Sequence, residues 1–168
     1  MRRTLSLIAV VLTALILQTT VFPKVTLMGA KPELMYLITI VFAMLEGPSS
    51  GAVIGFSGGL AQDFLQSQPK GATGLTLTLL GYVIGLVRQF VVTPSPLLPI
   101  TLVAVGTFGG LIFYGTLAWL VGQLDAGWAH LLEIAFFSSI YNGLLTPIFF
   151  PLLRRVSERT RMPSLFGW

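Results

Sequence analysis

Cysteine is absent, histidine occurs once, and charge is scarce: 10 Lys and Arg with 6 Asp and Glu make up 10% of 168 residues. Without cysteine there is no disulfide framework, no thiolate metal site and no cysteine nucleophile. A single histidine, His130, excludes a histidine-based metal cluster. A soluble domain carries charge on about a quarter of its residues. This chain, 54% apolar with a mean hydropathy of +0.87, cannot cover a water-facing surface. A soluble enzyme is thereby excluded. No Walker A lysine motif, nucleophile elbow, HExxH or strand-end GxGxxG is present, so the chain reads as non-enzymatic and without cofactor or metal. Its net charge of +4 is distributed as membrane orientation requires, rather than as a nucleic-acid surface.

What the sequence has instead is apolar runs, at residues 5–22, 34–45, 51–65, 72–92, 97–121 and 131–153, followed by a basic tail over 154–168. They predict an all-α polytopic membrane protein of about six transmembrane helices, a compact bundle forming a single membrane domain over residues 1–168. Arg2 and Arg3 before the first run give it the look of a signal peptide. No small-x-small cleavage site follows, and it reads as an uncleaved first helix. The second and third runs, 12 and 15 residues, fall short of the roughly 20 residues that cross a hydrocarbon core. Two short spans and a re-entrant hairpin both fit, and both return the chain to the side it left. With six crossings, Arg2, Arg3, Arg88, Arg154, Arg155, Arg159 and Arg161 fall on the inner side, and Lys24, Lys31 and Lys70 on the outer. Seven against three places both termini in the cytoplasm.

Glycine forms the most informative pattern. Gly47, Gly51, Gly55 and Gly59 are three GxxxG steps end to end, and Gly81 and Gly85 repeat the spacing in the next run. In lipid, where no hydrophobic force draws helices together, small residues that admit a neighbouring backbone are the usual packing device. The stripe serves either packing within the chain or docking of another membrane protein. Asp63, Lys70, His130 and Glu133 are predicted to gather at the outer end, as a small polar pocket or partner contact, or simply as groups capping and pairing near the headgroups. At the inner end Glu46 and Arg88 reach similar depth and suit an ion pair, while Arg154, Arg155, Arg159 and Arg161 suit contact with anionic membrane lipids.

The stretch from Gly47-Pro48-Ser49-Ser50-Gly51 through Gly58-Gly59-Leu60-Ala61-Gln62-Asp63-Phe64, then the Gly71-led helix, resembles the signature of the MreD family, the rod shape-determining membrane proteins. Lys31-Pro32-Glu33-Leu34 before a short apolar helix, and Tyr141-Asn142-Gly143-Leu144 leading to Pro147 and Pro151, are similar to that family's first half and last helix. The resemblance implies a non-enzymatic scaffold of the bacterial elongation machinery in the inner (cytoplasmic) membrane. Its expected main partner is MreC, with RodA and a class B penicillin-binding protein beyond it and MreB indirectly. It would help to control cell shape and peptidoglycan synthesis. It also implies kinship with the six-helix S components of energy-coupling-factor transporters. The alternative function is therefore the substrate-binding subunit of a vitamin importer, with Gln62, Asp63, Gln66, His130 and Glu133 lining its cavity.

Overall fold

The computed structural model describes residues 2–20, 30–65, 71–90, 95, 97–122 and 127–160, with side chains described for residues 7–159 of these. They form α1 (Arg2–Thr20), α2 (Leu34–Glu46), α3 (Pro48–Leu65), α4 (Ala72–Phe90), α5 (Leu98–Leu120) and α6 (Trp128–Thr160), with no β-strand among the described residues. Three of them, α4, α5 and α6, are long and apolar enough to cross a membrane. This is an all-α membrane protein.

The helix order alone does not reveal that α2 is the axis of the bundle. Every residue from Leu34 to Ala43 is buried, and α2 packs against all five other helices. It has no charged side chain before Glu46, and a helix that is apolar all round belongs inside. At 13 residues it is about 20 Å long, well short of a hydrocarbon core of about 30 Å. Around it stand Ala14 and Leu15 of α1, Ile54 of α3, Leu77 and Ile84 of α4, Val103 and Leu111 of α5, and Ala135 and Leu153 of α6.

One residue joins α2 to α3. Gly47 takes φ +98°, a conformation that side-chain-bearing residues avoid, and its N–H closes α2 on the Ala43 carbonyl at 3.0 Å. Pro48, with φ preset and no N–H to strand, opens α3. The helix therefore begins three residues before the apolar run that starts at Gly51, and the two helices form an antiparallel hairpin.

The next pair, α3 and α4, is packed backbone on backbone. A Cβ added at Gly55 would stand 2.2 Å from the Leu77 carbonyl oxygen, one at Gly51 2.7 Å from the Gly81 oxygen, and one at Gly59 2.7 Å from the Gly74 Cα. From the α4 side, a Cβ at Gly81 would lie 2.4 Å from the Gly51 oxygen, and one at Gly85 2.3 Å from the Pro48 Cα. Gly47 stands apart from this seam, because nothing lies within 4 Å of a Cβ there and its glycine serves the turn. On α5, Gly110 admits the Tyr36 ring and Gly106 the Ile40 side chain, which seats α5 on α2.

The last helix runs on to Thr160, seven residues beyond the end of its apolar run at Leu153, although Pro147 and Pro151 lie inside it. Arg154 and Glu158, four apart, pair at 2.7 Å, and the Ser157 hydroxyl donates to Glu46 of α2 at 2.8 Å. The basic segment up to that point is thus helix docked on the bundle, where the hydropathy pattern predicts a tail.

Gly55→Ala is expected to destabilise the protein by about 1–3 kcal/mol through overpacking. Gly109→Ala, with nothing within 4 Å of the added carbon, is expected to be neutral or to gain up to about 1 kcal/mol from helix propensity. Thermal unfolding of both variants in mild detergent checks the ranking. Equal melting temperatures would mean that the α3–α4 seam does not constrain the fold.

Candidate functional site

The buried polar groups gather at one place, around the connector that leads into α2. Residues 31–33 are not helical, and Ala30, Glu33 and Leu34 are buried. Non-helical backbone at such a depth is tolerated only where protein satisfies its polar groups. Asn142 of α6 does so at Glu33: its Oδ1 accepts the Glu33 N–H at 3.1 Å and its Nδ2 donates to the Glu33 carbonyl at 3.0 Å. The same Nδ2 reaches Thr107 Oγ1 of α5 at 3.0 Å. Ser138, one turn earlier on α6, donates to the Lys31 carbonyl at 3.0 Å.

The Glu33 side chain, in a residue 8% exposed, ties in the remaining helices. Gln18 of α1 donates to Glu33 Oε2 at 2.6 Å while its own Oε1 accepts the Met35 N–H at 3.3 Å. Gln62 of α3 donates to the same Oε2 at 3.4 Å, and Lys31 Nζ lies 3.7 Å from Oε1. Burial pushes the Glu33 carboxyl above the usual carboxylate range, against the opposing pull of Lys31, Gln62 and Gln18. One residue thus connects α1, α3 and α6 at the entrance to α2.

Asp63, 1% exposed, closes the α3–α4 junction. Its Oδ2 accepts the N–H groups of Gly71 at 2.9 Å and Gly74 at 3.1 Å, where a helix start leaves donors unsatisfied and favours negative charge. His130 and Glu133 sit about half exposed on the first turns of α6, with Nδ1 and Oε2 3.8 Å apart. Of the predicted outer group, the structure brings these two together and sets Asp63 on the α4 start; Lys70 lies outside the described residues.

At the basic end Arg88 Nη1 donates to the Leu45 carbonyl at 2.9 Å, next to Glu46, which accepts from Ser157. Arg154 pairs with Glu158, Arg155 and Arg159 are exposed, and Arg161 lies outside the described residues. Among the described residues no group of three or more His, Cys, Asp or Glu is placed to hold a metal ion. The glycines Gly51, Gly55, Gly59, Gly81 and Gly85 meet the α2–α3–α4 core from within the chain.

Sequence reasoning missed Gln18, Thr107 and Ser138, and met Glu33 and Asn142 only inside motifs. The available signal was uncharged hydrogen-bonding side chains within apolar runs, where polar groups find partners across helices. The arrangement is one of helix tying. Its carboxylates and amides bond to backbone and to one another, although Gln62 Oε1 and Asp63 Oδ1 are buried without a hydrogen-bond partner among the described residues.

The family model described as rod shape-determining protein MreD matches residues 1–156. No curated protein and no solved structure matches the chain.

Asn142→Leu, similar in size but without the amide, is expected to cost about 1–3 kcal/mol by orphaning the buried Glu33 N–H. Asp63→Ala is expected to cost about 0.5–2 kcal/mol, as other lost helix caps do, and Asp63→Asn, which keeps an acceptor oxygen, distinctly less. Chemical unfolding in detergent measures all three, and an asparagine as harmful as the alanine would show that charge rather than capping is required at Asp63. Because the folded chain holds its Glu33 proton more firmly than the unfolded chain, this group's stabilisation is full at acid pH. It is lost as pH rises through the raised folded-state value. Melting temperature against pH is expected to fall across that window in the parent and to be flatter in Glu33→Gln.

Proposed function

Since the chain belongs to the MreD family of rod shape-determining proteins, we propose that it acts as a non-enzymatic scaffold of the cell-elongation complex, binding MreC within the membrane. Through MreC it would work beside RodA and a class B penicillin-binding protein, with MreB reached indirectly, to help control peptidoglycan synthesis and cell shape. The family match over residues 1–156 carries this reading. The structure supports it in two ways. The buried polar side chains Gln18, Glu33, Gln62, Asp63 and Asn142 each bond across helices or to a helix start, which favours the outer faces as the working surface. Those faces are broad and apolar, with Val53, Phe56 and Phe64 exposed on α3 and Tyr82, Val83 and Phe90 on α4.

The importer-subunit alternative needs an outward cavity lined by convergent polar groups. Two of the residues assigned to such a lining, Gln62 and Asp63, are 4% and 1% exposed and bonded to Glu33 and to the α4 start, which counts against it. In the scaffold reading the protein lies in the bacterial inner membrane as a multi-pass protein with both termini in the cytoplasm, as the arginine distribution favours.

Affinity purification from native membranes in mild detergent, with mass spectrometry of whatever accompanies the protein, tests this. Recovery of MreC together with RodA and the penicillin-binding protein is the expected result. Recovery of a transporter ATPase pair with its coupling subunit would replace the scaffold with an importer component.

A further inference from the structure

We propose that the lateral groove between α1 and α6 holds an acyl chain of an anionic phospholipid, whose headgroup rests on arginines at the groove's basic end. The groove has a volume of about 250 Å³. Ala9, Thr13 and Leu17 of α1 form one wall, Phe149 and Leu152 of α6 the other, and Ile38 of α2 the floor. The one hydroxyl among these, that of Thr13, is spent on the Ala9 carbonyl at 2.7 Å, so the lining suits hydrocarbon.

An extended hydrocarbon chain suits so apolar a lining.

Charge then selects the class of lipid. The groove has two different ends. Toward one, the lining stops at Leu17 and Ile38, short of the tie of Gln18 to Glu33. Toward the other, the α6 wall runs into arginine. On α6, Arg155 and Arg159 follow Leu152 at three and seven positions, so they continue its stripe along a helix that stays ordered to Thr160. Arg154 is taken up by Glu158, whereas Arg155 and Arg159 are exposed. No acidic residue lines the groove. An apolar slot that leads to exposed arginines on α6 matches one tail and the anionic head of an inner-leaflet phospholipid.

The test is native mass spectrometry of the full chain released from detergent micelles, titrated with phosphatidylglycerol and with phosphatidylethanolamine of the same acyl chains. The parent protein is expected to retain phosphatidylglycerol preferentially. Arg155→Gln with Arg159→Gln, both at exposed positions, is expected to lower that retention roughly 30-fold and to leave phosphatidylethanolamine unaffected, since each juxtamembrane arginine contributes about fivefold. Ala9→Leu with Thr13→Leu, which fills the groove from its open side, is expected to abolish phosphatidylglycerol retention with the arginines intact. Equal retention of the two lipids, displacement by soluble glycerol phosphate, or undiminished retention in the filled groove would each overturn the proposal. So would a filled groove that keeps its lipid but loses a co-purifying membrane protein, since the groove would then be a protein's seat.

Discussion

The backbone of Glu33 has to be satisfied away from water, and the bundle is arranged around the side chain that satisfies it. Asn142 bonds both the N–H and the carbonyl of Glu33. The same carbonyl also accepts from the N–H groups of Tyr36 and Leu37, which starts α2. The rotation of α6, the origin of α2 and the path of the connector are therefore not independent. Gln18 and Gln62 bring α1 and α3 to the same carboxylate. Hydrogen bonds between helices in membranes average about 0.6 kcal/mol and reach about 1.7. Their concentration at one point matters less as a sum than as a specification, because a helix rotated by one residue would strand several of them together.

Away from this knot, the structure relies on closeness. In α3 and α4 the glycines remove side chains from both facing surfaces, and each carbonyl comes within reach of the opposite helix. Such contact supplies dispersion and weak Cα–H···O attraction where the hydrophobic effect offers none. The two devices are complementary. The polar knot sets register and rotation at one end of α2, and the glycine seam holds the α3–α4 pair against it. Asp63 joins them, since it lies one residue beyond Gln62 of the knot and binds the start of α4, where the seam's Gly74 is one of its two partners.

The architecture was legible where it depends on linear properties. Apolar run lengths reveal an all-α membrane protein, and glycines four apart reveal a face bare of side chains. The family resemblance rested on the order of these signals. Which surface meets that bare face is a property of tertiary structure, and here it is the backbone of α4. For the same reason the glycine at Gly47, which has the stripe's spacing, turns out to serve a left-handed turn. Charge drew attention to Asp63, His130 and Glu133, whereas Asn142 and Gln18, which tie helices together at Glu33, are uncharged and lie within apolar runs. Helix length was underestimated after Leu153 because hydropathy marks where a chain leaves hydrocarbon, while helical bonding and the Arg154–Glu158 pair continue past that boundary.

The Glu33–Asn142 clamp spans 109 residues of sequence. At a synthesis rate of roughly 5–20 residues per second, the partner of Glu33 emerges about 5–20 s after it. During that interval Gln18 of α1 and Gln62 of α3 are already synthesised or soon follow, but the Glu33 N–H lacks its Asn142 partner. The Glu33–Asn142 clamp therefore forms only once α6 arrives, and until then water, headgroups or the insertion machinery must supply what Asn142 later provides.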